Sequence, residues 1–182
     1  FRERYDYART IGALARSMSS LLDLGEITRR LSTTIESSMH VRGARLEVGA
    51  PRPPLGVLLE AAPGALSRYQ VAADPRLAPL EAEALLAYDA LGAEVLVPLR
   101  FQEAVRGVLV LGPKRSEAAY TAEDLELLET LADQTAVAVA NAEAQRCLRL
   151  GGSRRGEPCF PRCRRRSPPG WGRPWRPGSL CR

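Results

Sequence analysis

The sequence is poor in the residues that usually carry chemistry. It has one histidine, His40, one lysine, Lys114, and no cysteine before Cys147. Aromatic residues are 5% of the 182 positions. A lone histidine lacks the partners that a metal centre or an acid–base pair requires. Neither a G-x-S-x-G turn nor a phosphate-cradling lysine loop is present, and no cysteine pairs with the histidine in a recognisable pattern. These gaps exclude the common nucleophilic and phosphoryl-transfer enzymes. No apolar run approaches the ~18 to 20 residues of a membrane span. The N-terminal segment lacks the charged, apolar and cleavage regions of a secretion signal. A cysteine-free stretch over 1–146 suits a reducing compartment, the cytoplasm, and a fold without disulfides. The chain opens at Phe1 rather than Met, so it reads as a piece of something longer. Twenty-five arginines against one lysine suggest a GC-rich coding sequence.

What is present is ordinary globular material: 45% hydrophobic and 26% charged. The net charge of +5 is unevenly spread. Residues 151–182 hold nine arginines and one acid, Glu157, or +8; residues 1–150 hold 17 basic and 20 acidic groups, or −3. The last 32 residues also contain six prolines, six glycines, both tryptophans and a single leucine. Such a segment cannot bury enough apolar surface to offset its ordering entropy, and it reads as a disordered basic tail. The break after Leu150 is equally what a truncated or out-of-frame end would give.

Hydrophobic periodicity places the elements of the body. Tyr7, Ile11, Leu14, Met18 and Leu21 recur at spacings of 4, 3, 4 and 3, a coiled-coil-like seam on an opening helix. Asp23-x-x-Glu26 caps a second helix, which carries Ile27, Leu31, Ile35 and Met39 on one face. Arg45–Val48 alternates as a strand. Val57–Glu60 and Arg68–Ala72 read as short strands around an Ala62-Pro63-Gly64 turn. Pro79–Tyr88 reads as a short helix opening at a proline.

Glu94–Arg100 and Val105–Leu111, joined by a few polar residues, predict an antiparallel hairpin. Val95, Val97 and Leu99 point one way, and Leu96 and Pro98 the other. A strand apolar on both faces is covered on both. One cover is a helix layer, and the other is more protein or a pocket. Thr121-x-x-Asp124 caps a long helix from about Ala122 to Arg146, by the capping-box spacing. That helix has one stripe of Leu125, Leu128, Ala132, Thr135, Val139 and Ala142, and a second of Leu127, Leu131 and Ala138. Two stripes call for two partners, the sheet and another helix. With no βαβ repeat, the fold class is α+β, an antiparallel sheet with segregated helices.

Val95-Leu-Val-Pro-Leu-Arg, Val105-Arg-Gly-Val-Leu-Val-Leu-Gly-Pro-Lys-Arg and the stretch from Tyr120 through Gln134 to Ala142 together resemble the GAF domain family. The resemblance covers about residues 92–146, and the helix and strand before Pro51 suit the family's first half. It implies a six-stranded antiparallel sheet, terminal helices packed on one face, and a ligand pocket under a short helix and loops on the other. It also implies a regulatory, non-catalytic role, dimerisation through the terminal helices, and an output domain elsewhere in the parent protein. The asparagine–lysine run of cyclic-nucleotide-binding members is not matched, Pro113-Lys-Arg-Ser standing in its place. Bilin attachment would need a cysteine in the body. The cofactor is therefore unknown.

On that frame the pocket candidates are Tyr69 and Val71 on a predicted strand, Leu86 and Tyr88 on the covering helix, and Val97, Leu99 and Leu109 on the hairpin. Plain core packing explains each as well. No metal set is expected: Cys147, Cys159, Cys163 and Cys181 fit no zinc spacing. His40 sits at a helix end, where a histidine favours the dipole. Glu123, Asp124, Glu126 and Glu129 cluster at a helix start, where solvation and the dipole account for them. Nucleic acid is not expected as a partner of the body; the tail's Arg164-Arg-Arg166 run with Trp171 and Trp175 has the chemistry to grip it, and an incidental basic tail with no partner explains the same residues.

The division expected is a signalling and dimerisation helix over 1–22, a GAF-like domain over 23–148 and the tail over 149–182. The function expected is a non-catalytic sensory or regulatory domain of a bacterial signalling protein, such as a two-component system. It binds a small molecule, forms a homodimer, or both. The alternatives are the upstream part of a sensor histidine kinase or serine phosphatase, and a ligand-free dimerisation spacer. Side chains packed under the covering helix would favour the spacer.

Overall fold

A computed structural model describes residues 2–18, 21, 23–62, 64–102 and 104–149, with side chains from Ala8 to Leu148. The basic tail lies outside the described residues. Among the described residues, six helices and four strands follow in the order α1 (Arg2–Met18), α2 (Leu24–Met39), β1 (Ala44–Val48), α3 (Leu55–Ala61), β2 (Leu66–Ser67), α4 (Arg68–Ala73), α5 (Glu81–Leu91), β3 (Val95–Phe101), β4 (Ala104–Leu111) and α6 (Ala122–Arg149). A 3-10 turn, Ala78–Leu80, leads into α5.

The capping signals act where the sequence puts them. The Asp23 carboxylate accepts from the Glu26 N–H at 2.9 Å and starts α2. Glu26 does not close the reciprocal box; it pairs with Arg29 and Arg30 instead. At α6 the box is complete: the Thr121 N–H donates to Asp124 Oδ2 at 2.7 Å and the Asp124 N–H to Thr121 Oγ1 at 3.2 Å.

The strands form one antiparallel sheet in the order β1-β4-β3-β2. The expected hairpin is its centre, closing tightly at Phe101 opposite Ala104, with Gln102 in the left-handed region at φ 50°. A bulge shifts the register between Leu99 and Arg100, so Leu99 faces Gly107 and Arg100 faces Val105. Gly107 has no room for a side chain, because a Cβ would lie 2.6 Å from the Glu47 carbonyl oxygen of β1. Only glycine lets the edge strand approach there.

The middle of the chain corrects two expectations. Val57–Glu60 lies in α3 and Arg68–Ala72 in α4, so both are helical rather than strands. Leu55, Leu58, Leu59 and Ala62 have the i, i+3, i+4, i+7 spacing of a helix face and are buried. Ser67 and Gln70 form a capping box that starts α4 one residue after β2 ends. Among the described residues the sheet therefore has four strands, not the six that the resemblance implies.

Alternation across the hairpin separates two cores. Val95, Val97, Leu99, Leu109 and Leu111, with Ala44 and Leu46 of β1, face α1, α2 and α6. Leu96, Val108 and Val110 face the opposite way, against α3, α4 and α5. Ile11, Leu14 and Met18 are buried in the first core and Leu21 packs on it. The opening seam thus finds partners within its own chain, in α2 and α6. The side chain of Tyr7 lies outside those described. The second stripe of α6 ends likewise, with Leu131 and Ala138 buried and Leu127 packed against the core. Cys147 lies in the last turns of α6.

Candidate functional site

The side of the sheet covered by α3, α4 and α5 is where the resemblance places a ligand. The chain's own side chains occupy it. Leu58, Leu59, Tyr88, Leu96, Val108 and Val110 are all within 1% of complete burial and form one apolar cluster. Tyr88 is the largest of these. Its hydroxyl donates to the Leu66 carbonyl at 2.6 Å, fixing α5 to β2. Burial pushes the Tyr88 phenol above its ordinary range, with the nearby Glu94 charge adding to the effect.

Arg100 reaches from β3 beneath the cover. Its Nη2 donates to the Ala62 carbonyl at 2.5 Å and to the Leu59 carbonyl, two acceptors that the end of α3 leaves open. Its Nε is buried without an acceptor. From the other layer, Glu129 of α6 accepts from the Ala65 N–H at 2.7 Å. The connection between α3 and β2 is thus held by the sheet and by α6. On the outer surface, Arg68 and Asp89 join α4 to α5, and the hydrogen bond to Arg68 holds the Asp89 carboxyl below its usual value. Both side chains are exposed, so the pair contributes little to stability.

The seven pocket candidates do not come together. Val71 and Tyr88 lie in the cover-side core. Val97, Leu99 and Leu109 lie in the other core, facing α2 and α6. Tyr69 is 79% exposed and Leu86 69%. The switch from strand to helix accounts for Tyr69: helical spacing sets Tyr69 and Val71 on different sides of α4, where a strand would align them. The sheet residues on the cover side, Leu96, Val108 and Val110, were not among the candidates. The alternation was readable, but the sequence does not say which of two apolar faces receives the longer helices.

A second constellation joins the end of β4 to the start of α6. The Lys114 ammonium donates to Asp124 Oδ2 at 2.6 Å, with both side chains largely buried. Lys114 Nζ also lies 5.1 Å from the centroid of the Tyr120 ring, and the Tyr120 hydroxyl donates to the Gly112 carbonyl at 2.6 Å. Burial raises the Tyr120 phenol, with the Asp124 charge next in effect. The sequence marked only the capping box; the single lysine, ten residues before Asp124, carries no local sign of the pairing.

His40 caps α2 in the left-handed region at φ 53°, with its carbonyl accepting from the Arg115 N–H at 2.7 Å. Of the clustered acids, Asp124 and Glu129 make the contacts above. Among the described residues, no group of three or more His, Cys, Asp or Glu side chains converges as metal ligands. No helix among them is long and apolar enough to cross a membrane.

Comparison with individual curated proteins gives no match. The GAF domain family matches residues 7–141, well over half of the 182. The match begins inside α1 and ends inside α6, so it takes in both cores and the cover between them. With the α+β architecture, this shows that the chain belongs to the GAF domain family.

Proposed function

We propose that the chain is a non-catalytic regulatory domain that acts by changes in packing between its cover and its terminal helices, without a resident small molecule. GAF domains are in general regulatory modules rather than catalysts. The observation that carries the reading is the closure of the cover side by Leu58, Leu59, Tyr88, Leu96, Val108 and Val110. A ligand entering there would have to displace α3 or α5. Such a domain converts binding into output only by preferring one of two arrangements.

The test is self-association after the cover is loosened. Leu58→Ala is expected to change the association state seen by light scattering, while Val57→Ala, on the exposed side of α3, leaves it alone. Unchanged association in Leu58→Ala, with the fold intact, contradicts the proposal.

A second reading keeps a small-molecule effector. The Arg100 Nε buried without an acceptor favours it. A ligand with an acceptor group, admitted as α3 lifts, would satisfy that donor.

Homodimerisation belongs to the proposal as well, with a changed geometry. The α1 seam is buried within its own chain, so a second copy would meet exposed positions such as Ala8 and Ala13 of α1 and Asn141 and Ala144 of α6. A monomer at high concentration would remove that part. The division into a 1–22 helix, a 23–148 domain and a 149–182 tail is carried forward as a proposal with one change: the first helix belongs to the domain's core. Use in a bacterial two-component or phosphatase pathway remains part of the same reading, and rests on the family's general role. Cytoplasmic placement rests on the cysteine-free stretch 1–146. Thiol alkylation of Cys147 in intact cells tests it, an unreactive thiol contradicting the placement. Nucleic-acid binding is assigned to the tail alone, and equal affinity with and without residues 151–182 would remove it.

A further inference from the structure

The connection between α3 and β2 runs from one core to the other. Ala62 belongs to the cover-side cluster, Ala65 to the cluster facing α6, and Leu66 to the cover side again. Two side chains from different layers grip it. Arg100 of β3 holds the Ala62 carbonyl, and Glu129 of α6 takes the Ala65 N–H at 2.7 Å. Ala65 is buried, so without Glu129 its N–H would be left in an apolar setting. Gly64 fits the same grip. A Cβ there would lie 2.2 Å from Glu129 Oε1 and 2.8 Å from its Cδ. Any larger residue must push the carboxylate off Ala65.

We propose that Glu129 is a latch that couples the cover to the last helix. When α3 moves on the sheet, the connection pulls on Ala65, and Glu129 passes that load to the turn of α6 on which it stands. In this role Glu129 is a positioning residue. The latch rests on the regulatory reading for its purpose, but its mechanics can be measured without any ligand or output.

The experiment is amide hydrogen exchange read by NMR on the whole chain. In Glu129→Ala, the Ala65 amide is expected to exchange about fivefold to tenfold faster, the equivalent of one ordinary hydrogen bond. Glu129→Gln keeps an acceptor oxygen and should stay near the wild-type rate. Gly64→Ala should match Glu129→Ala at Ala65, and the double variant should be no faster than either single one. For the coupling, Leu59→Val loosens α3 mildly enough to keep the fold. It is expected to speed exchange in the turn of α6 around Glu129 in the wild-type background and not in Glu129→Ala. Equal acceleration in both backgrounds, or an unchanged Ala65 rate in Glu129→Ala, overturns the latch and leaves the regulatory reading standing. A latch that behaves as described, in a protein whose association ignores Leu58→Ala, keeps the latch and removes the regulatory reading.

Discussion

Tyr88 brings a large apolar ring and one hydroxyl into the cover-side core, and the hydroxyl pairs with the Leu66 carbonyl. Tyr88→Phe leaves that carbonyl unpaired and is expected to cost about 1 to 2 kcal/mol by urea unfolding. The same burial sets a pH dependence. The Tyr88 and Tyr120 phenols are both raised, so the unfolded chain releases those protons first. The contribution of these two phenols to stability should be flat below the ordinary tyrosine pKa of about 10 and fall as pH climbs past it toward the folded values. Removing either phenol should make the alkaline fall shallower, and a slope untouched by both substitutions would contradict the assignment. Lys114 and Asp124 offer another residue-scale check. Lys114→Met leaves a buried carboxylate without its cation and should cost about 3 kcal/mol. Lys114→Met with Asp124→Asn should cost less than the sum of the two single variants. The sequence showed half of this pair. Thr121-x-x-Asp124 announced a cap, but nothing local reveals that the one lysine folds back onto it.

Among the elements, α1 was legible as a helix with an apolar seam, and what covers that seam was not. Periodicity gives the apolar stripe of Ile11, Leu14 and Met18, but not the identity of what covers it. Here α2 and α6 cover it. Deleting residues 1–22 should therefore destabilise the domain rather than dissociate it. Ile11→Ala is expected to lower unfolding stability by about 2 to 5 kcal/mol at any protein concentration. A loss that vanishes on raising the concentration would point back to a dimer seam. The short elements were the least legible. Val57–Glu60 is an apolar run that periodicity alone cannot assign to helix or strand. The signal lay in the neighbours: the 55, 58, 59, 62 spacing for α3, and Ser67-x-x-Gln70 for α4. The longer elements gave no such difficulty, because the hairpin and α6 carry many periods and their own caps.

At the scale of the whole molecule, the double-sided apolar hairpin decides the architecture. Leu96 and Val97 are adjacent in sequence, lie in opposite cores, and are both buried. That much followed from alternation. Whether the second core is a pocket or a packed layer did not, since Leu, Val and Tyr line both kinds of space. The structure holds a packed layer, tied to the sheet by Arg100 and to α6 by Glu129. On the proposed reading, regulation works by rearranging that layer rather than through a resident ligand. Native mass spectrometry of freshly purified chain measures the difference directly. Protomers with the mass of the bare polypeptide are expected. A small molecule retained at one per chain would contradict the proposed reading.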